Sequence, residues 1–432
     1  CPRLDRRSID WASLAIDRGL PSPLPLARSG VPVALAQMDC HVAHTNARTH
    51  ALITAALPRS PLFSGAIEGT GPRYCPSIED KVVRFASRDT HQLFLEREGW
   101  HTNEVYLSGL STSLPADVQI ALVQTIAGLE RAEIVRFGYA VEYDTIDPRQ
   151  LDRSLQLRAL PGLFLAGQVN GTSGYEEAAA QGLVAAFGAI ARVRGESAPL
   201  IGRTDGYVGV MVDDLITRGG GEPYRMFTSR AEHRLTLRAT NADRRLTPLG
   251  RKIGLVDDAQ WAAFEGRQTR LARARDLLNS TTLNPTAALQ ARVEGLGDGG
   301  LRTPVSLANL LRRPKLQWAD VADLLPVEFM DGGDPGPLSP DEADELIADS
   351  RYAGYIEREQ HRLEQTRRAE AVPLPADLDY GAIGGLSTEA VEKLNKVRPD
   401  TLGQAGRIPG LTAGAVQALA VHAEMMRRRR SP

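Results

Sequence analysis

Lysine is nearly absent from this sequence: it stands at 81, 252, 315, 393 and 396 only, and every other one of the 51 basic residues is arginine. Lys81 is the only lysine before residue 252, and a bias that spares one position points to a need there for a compact ammonium rather than a planar guanidinium fork. Cysteine is scarce as well. Cys1, Cys40 and Cys75 form no CxxC spacing, which argues against a disulfide framework and a zinc ribbon and fits a reducing, cytoplasmic compartment. No apolar run approaches the roughly eighteen to twenty residues of a membrane span, and no signal-peptide pattern appears, so no membrane partner is expected. Net charge is close to nil at −2, so any contact with nucleic acid has to come from local basic patches. The chain begins with Cys rather than Met, and an upstream segment is therefore expected.

What is present is enough for a sizeable core: 432 residues, 42% of them hydrophobic, predict two or three globular domains. The densest chemistry lies in GPRYCPSIEDKVVRF, Gly71 to Phe85. Cys75 sits between Tyr74 and Pro76, so the backbone before the proline is pushed out of helical geometry and the thiol is presented on a turn. Arg73 and Lys81 are cations close enough in sequence to favour its thiolate. Beyond Pro76, SIEDK reads as a polar turn and KVVRF as a strand whose Val82 and Val83 need cover. A buried, inert cysteine is the alternative.

HQLFLEREGW onward reads as strand, turn, strand and an amphipathic helix with Ile120, Val123 and Ile126 inward. VRFGYAVEYDTID and LFLAG (163–167) read as further strands. Strands alternating with helices predict an α/β fold with a parallel sheet and ligands at its carboxyl edge. After Gly167 the chain turns through QVNGTSG into a helix bared by Ala178, Ala179, Ala180 and Gly182, a surface on which a flat or phosphorylated ligand can lie near open N–H groups. Tight helix-on-sheet packing accounts for the alanines but not for QVNGTSG. GLGDGG at 295–300 matches a dinucleotide spacing but lacks the preceding strand, and reads as a surface loop. CHVAHTNARTH (40–50) has one Cys and three His, yet it reads as entry to a helix capped by Thr45 or Asn46 rather than as a metal site.

Residues 218–251 carry eight Arg against three acids. Arg230, Arg234 and Arg238 form a stripe if this segment is helical; if it is a strand, Arg234 and Arg238 still share a face with Thr236. Either arrangement suits phosphates, and a solvated, internally paired face is the alternative. From about residue 258 the texture is helical and polar. DGGDPGPLSP (331–340) marks a loop or linker, and a long helix follows. GQAGRIPGLTAGAVQAL, with Arg407, places a Pro-Gly turn between two helices in the manner of a helix-hairpin-helix, and MMRRRRSP is a basic tail.

The stretch around Cys75 and the block LFLAGQVNGTSGYEEAAAQGL (163–183) resemble the two signatures of the GidA/MnmG family, and the likeness runs from about Arg3 to about residue 425. One departure is Arg7, where the family usually has Gly. The resemblance implies a Rossmann-like flavoprotein with two dinucleotide domains, followed by an all-α region. Its glycine-rich FAD half-domain, roughly 200 residues, would precede residue 1. The implied activity is formation of the 5-carboxymethylaminomethyl (or aminomethyl) group on the wobble uridine of tRNA. It also implies FAD, NADH or NADPH as reductant and methylenetetrahydrofolate as carbon donor. The implied assembly is a homodimer that joins a GTPase of the MnmE/TrmE type in a heterotetramer. A related folate- and FAD-dependent uridine methyltransferase, or a fragment that only binds tRNA or the GTPase, are the alternatives.

By the same resemblance Cys75 is catalytic, with Glu79 and Lys81 beside it. Gly71, Pro72, Arg73, Tyr74, Pro76, Ser77 and Phe85 line the nicotinamide or active site, where His44, Asn46 and, as further polar candidates, Thr45 and His50 also belong. Gln168 is a flavin contact, and Asn170, Gly171, Gly174, Tyr175 and Glu176 join it. Arg230, Arg234, Arg238 and Arg407 are nucleic-acid candidates. The expected organisation is a loop-rich segment 1–36, an α/β region 37–150, the end of the FAD domain 151–205, a basic then helical region 206–370 and a small helical domain 371–432.

Overall fold

The computed structural model describes residues 1–19, 35–67, 76–219, 223–297, 299–375 and 377–430, the last four without side chains. Of the site residues expected from the sequence, Gly71, Pro72, Arg73, Tyr74 and Cys75 lie outside the described residues. The chain divides into two compact units, one built on Cys1–Thr145 and the other on Ile146–Pro432, apart from a short stretch ending at Pro223 that counts with the first.

The first unit is a sheet covered by helices. Its strands are β1 (Arg3–Asp5), β2 (Ala15–Asp17), β3 (Cys40–His44), β4 (Gln92–Arg97), β5 (Glu104–Ser108) and β6 (Ile134–Arg136), ordered β2-β3-β4-β5-β1-β6. Every described pairing is antiparallel, with Leu4 opposite Val105 and Leu95 opposite Leu107. The expected parallel sheet is thus corrected. Strand and helix do alternate in sequence, but β4 and β5 are joined by a tight connection, which only an antiparallel pair permits. The period-2 pattern of β4 and β5 sends Leu93, Leu95, Val105 and Leu107 to one fully buried face. Helices α1 (Ala47–Ala56), α2 (Ile78–Arg84) and α3 (Ala116–Val123) complete that core through Ile53, Ile78 and Leu122.

Three strand expectations fail locally. KVVRF lies in α2: Ser77 accepts a hydrogen bond from Asp80 N–H at 3.1 Å, Glu79 and Asp80 fill the first turn, and this capping outweighs the β-preference of the valines. The strand through VRFGYAVEYDTID stops at Arg136, and LFLAG keeps a single bridge, Gln156 to Phe164. In α3, Val123 is buried as read, but Val118 and Leu122 are its partners and Ile120 is exposed.

The second unit is mainly helical. Its first core joins α4 (Tyr175–Arg194) to α5 (Tyr207–Arg218) through Val184, Met211 and Leu215. Helices α6 (Ala242–Lys252), α7 (Asp258–Ser280), α8 (Ala287–Gly295) and α9 (Leu307–Leu311), with the hairpin β7 (Thr282–Leu283) and β8 (Val305–Ser306), pack on the 31-residue α10 (Pro340–Glu370). Ser339 and Glu342 form the capping box that starts α10. Residues 295–300 follow a helix, not a strand, as their reading as a loop requires. The end of the chain folds as α11 (Thr388–Val397), α12 (Leu402–Arg407) and α13 (Ala413–Arg430) around Tyr380, Leu394 and Leu419. Among the described residues no helix is long and apolar enough to cross a membrane.

Candidate functional site

In the second unit the turn after Gly167 is held by one buried amide. Gln181, which directly follows the three alanines of α4, accepts Gly167 N–H at 2.8 Å and Asn170 Nδ2 at 3.0 Å, and donates to Thr172 Oγ1 at 2.8 Å. Asn170 also donates to Leu165 O at 2.9 Å, which leaves its buried Oδ1 without a partner among the described residues. Gly167 and Gly171 take φ of 79° and 72°, the left-handed region where glycine is at ease. A Cβ at Gly171 would meet nothing within 4 Å, so one side of the loop is open.

Gly174 caps α4 without any side-chain bond to the first turn. Glu177, one residue beyond the predicted Glu176, is the engaged acid: Oε2 pairs with Arg225 at 3.1 Å and Oε1 accepts Met226 N–H at 3.1 Å. Glu176 and Tyr175 are exposed, the tyrosine 91% so. Gln168 is half-buried at the edge of the turn. Sequence reasoning missed Gln181 and Glu177. The signal for Gln181 was a lone long amide in a run of alanines, where burial demands partners.

The first unit gathers a second group of polar side chains. Glu79 is fully buried, and its Oε1 accepts from Thr112 Oγ1 at 2.9 Å and Ser113 N–H at 3.1 Å. Lys81 Nζ donates to Gly109 O at 2.8 Å, and Ile78 N–H to Ser111 O at 2.6 Å, so both predicted residues fasten α2 to the segment after β5. Cys1 Sγ lies 3.2 Å from Ser111 Oγ. Thr45 Oγ1 is 2.8 Å from His50 Nε2 and accepts His91 N–H at 2.8 Å, and the two imidazoles stand 5.2 Å apart. Burial pushes both imidazoles below their ordinary value; Asp89 partly offsets this for His50, while His50, Lys81 and Arg88 push His91 further down. Two neutral imidazoles near a fixed ammonium can exchange protons with a bound ligand.

Several predicted contacts have structural duties instead. Asn46 caps α1 through Arg48 and Thr49 N–H and donates to Thr125 O at 2.6 Å, so its amide has little left for a ligand. Ser77 caps α2, and Pro76 precedes it. Phe85 ends α2, exposed, under the Arg88 guanidinium at 5.6 Å. His44 is exposed at the end of β3, opposite Gln92. Among the described residues no group of His, Cys, Asp and Glu is arranged to hold a metal ion.

The basic stripe does not form. Thr228–Arg230 is one 3-10 turn and residues 232–237 are turns and bends, so neither helix nor strand aligns the arginines. Arg203, 2% exposed, binds Asp213, Asp214 and Glu232 at 3.1, 2.7 and 2.7 Å. Arg407 takes Asp213 at 2.6 and 2.8 Å and Glu370 at 2.5 Å. Arg230 stacks on Tyr224 at 4.7 Å and lies 3.6 Å from Asp214, and Arg238 pairs with Asp349. Burial and then the Asp214 carboxylate push the Tyr224 phenol up. Asp213, Asp214, Asp349 and Glu370 lie outside residues 218–251, so local charge counting could not see them. Arg234 is the exposed member of the four candidates and has no ion pair among the described residues.

An α/β unit, a glycine turn feeding an uncapped small-residue helix, and a long all-α region define a two-part α/β and all-α protein whose open glycine turn is of the kind on which a nucleotide cofactor can lie. Family models place it further: "Glucose inhibited division protein A" matches residues 1–197, and the "tRNA modifying enzyme MnmG/GidA" C-terminal helical domain and helical bundle match 258–360 and 362–432. A Pelobacter propionicus protein, the tRNA uridine 5-carboxymethylaminomethyl modification enzyme MnmG, is 48% identical over 97% of this chain. The chain spans 66% of that relative's length. Two crystal forms of Aquifex aeolicus GidA superpose with TM-scores of 0.84 and 0.83 at 37% and 38% identity. Each comparison covers 98% of this chain, and 66% and 67% of those chains. The chain belongs to the GidA/MnmG family of FAD-binding flavoproteins.

The turn fits part of such a cofactor. It offers the uncapped N–H groups that open α4, an open face at Gly171 and Gly182, and a buried acceptor on Asn170 without a partner among the described residues.

Proposed function

We propose that this chain carries part of an FAD-dependent enzyme that builds the 5-carboxymethylaminomethyl (or aminomethyl) group on the wobble uridine of tRNA. The observation that carries this reading is the 48% identity, over 97% of the chain, to the enzyme so named from Pelobacter propionicus. Reduced FAD, when bound, supplies the electrons for fixing a one-carbon unit on the uracil. In this chain Gln168, Gly171 and the backbone N–H groups from Gly174 onward would hold it, with Gln181 keeping the turn in shape. Cys75 is the proposed catalytic thiol. Lys81 and Glu79 position α2, the helix that follows it, and His50 and His91 are proton-handling groups in the same unit.

NADH or NADPH as the reductant, methylenetetrahydrofolate as the carbon donor, homodimerisation, a GTPase partner and a cytoplasmic location belong to the same proposal, as do the domain boundaries read from the sequence. Arg234 is the proposed tRNA contact among the four arginines. The methyltransferase alternative loses its support: residues 258–432 match models of the MnmG/GidA helical region, which that family should lack. Cys75→Ser in the complete enzyme is expected to abolish uridine modification, scored by mass spectrometry of digested tRNA, while flavin absorbance persists. Unchanged modification would remove Cys75 from the mechanism.

A further inference from the structure

The second unit contains a cavity of about 510 Å³ that the flavin turn does not use, walled by α6 and the segment before it, α7, α9 with the residue after it, and α10. Its size falls within the range of roughly 300–1,000 Å³ in which small ligands are bound. Four arginines from four separate segments line it: Arg238, Arg244, Arg275 and Arg312. One carboxylate, Asp349, faces them. Arg238 pairs with it, and Arg244 and Arg275 reach its Oδ2 at 3.1 and 3.2 Å. Burial opposes ionisation of Asp349, but the Arg244 and Arg238 guanidiniums outweigh it and hold the carboxyl below the usual range. Glu345 also approaches Arg244, at 3.5 Å, yet it is held by Arg267 at 2.9 Å.

The wall therefore keeps an excess of positive charge, and that excess is directed. Asp349 engages one Nη of Arg275, whose remaining N–H groups are left over on a side chain 40% exposed. Arg312 is exposed and has no ion pair among the described residues. Leu278, Leu346 and Ile356 give the cavity an apolar floor, and Asn279 and Gln360 add neutral donors and acceptors. Three guanidiniums already converge on the two oxygens of one carboxylate, which is the geometry an oxyanion needs. An apolar floor beside it suits a base or sugar face.

We propose that this cavity binds the phosphate group of a nucleotide, with Arg275 and Arg312 as outer clamps and with Arg238 and Arg244 fixed behind them by Asp349. The phosphate has two sources, the backbone of an RNA chain or a free mononucleotide. The RNA source rests on the proposed tRNA-modifying reading and the mononucleotide source does not, and binding is titrated without any readout of uridine modification, so failure of one is distinguishable from failure of the other.

The test compares the 432-residue chain with R275Q/R312Q, which leaves the Arg238 and Arg244 pairs with Asp349 intact. A matched control, R358Q/R368Q, removes two charges from exposed positions on α10. Each is titrated with tRNA by filter binding across about 50–200 mM salt, and with AMP and inorganic phosphate by calorimetry. If RNA is the source, the cavity variant loses roughly tenfold or more in tRNA affinity, and its log–log salt slope becomes shallower by about 1.4 to 1.8 relative to the control. If a free nucleotide is the source, AMP or phosphate binding disappears in the cavity variant and tRNA binding follows the control. Arg312→Gln alone, which breaks no ion pair among the described residues, moves the same titration in the same direction and guards against misfolding. A cavity variant that matches the control with all three probes would overturn the proposal.

Discussion

At the scale of single residues, the described polar candidates divide by whether their groups are already spent. Asn46, Ser77 and Lys81 have the types and spacing of a reactive site, yet each is bonded to backbone partners that hold α1 and α2 in place. Glu79 is bonded through Oε1 only, and its buried Oε2, like the Nε2 of the buried His91, has no partner among the described residues. The lowered proton affinity of His91, caused first by burial and then by His50, Lys81 and Arg88, has a consequence for stability. Unfolded imidazole takes up a proton near pH 6.5, whereas the folded ring resists it. The unfolded state then binds more protons, so stability is fully present above about pH 6.5 and is lost as pH falls through the lower folded value. His91→Gln should flatten the fall of melting temperature below about pH 6.5; an unchanged profile would mean that His91 carries none of it.

Elements are set by local chemistry wherever caps are strong. The Asn46 and Ser339 boxes and the Ser77 cap mark helix starts by local chemistry; the sequence reading finds the one at Asn46, whereas it leaves Ser339 in the loop before α10. Ser77 was overlooked because Val82 and Val83 suggested a strand, and only Val82 turned out to be buried. Close approach of elements is less visible. A Cβ on Gly209 of α5 would lie 2.1 Å from Gly202 O and 2.6 Å from Ile201 O, both rigid backbone. Gly209→Ala should therefore cost about 3 kcal/mol, read as a lower urea midpoint at constant m, despite the better helix propensity of alanine. A stabilised variant would show that α5 can retreat from that segment.

For the whole molecule, the decisive interactions join distant parts of the sequence. Arg407, read from sequence as a tRNA contact, is 13% exposed and holds Asp213 and Glu370, thereby docking α12 on α5 and α10. Arg407→Met would leave two largely buried carboxylates short of a counter-charge and should destabilise the second unit by about 3 kcal/mol, seen in urea unfolding. Adding Asp213→Asn should recover part of that loss. Equal stability of the single variant and the parent would return Arg407 to the surface contacts.

The sequence by itself determined the family, the two-part α/β and all-α character, the long helix after residue 340 and the glycine turn before α4. Each of these rests on local patterns, such as caps, periodicity, glycine and small-residue runs, that neighbouring residues encode. Only the tertiary structure decided the antiparallel order of the sheet, the role of Gln181, and which arginines are free. Strand order and charge neutralisation depend on partners 30 to 200 positions away, such as Thr112 for Glu79 or Asp213 for Arg407, and no window of sequence contains both.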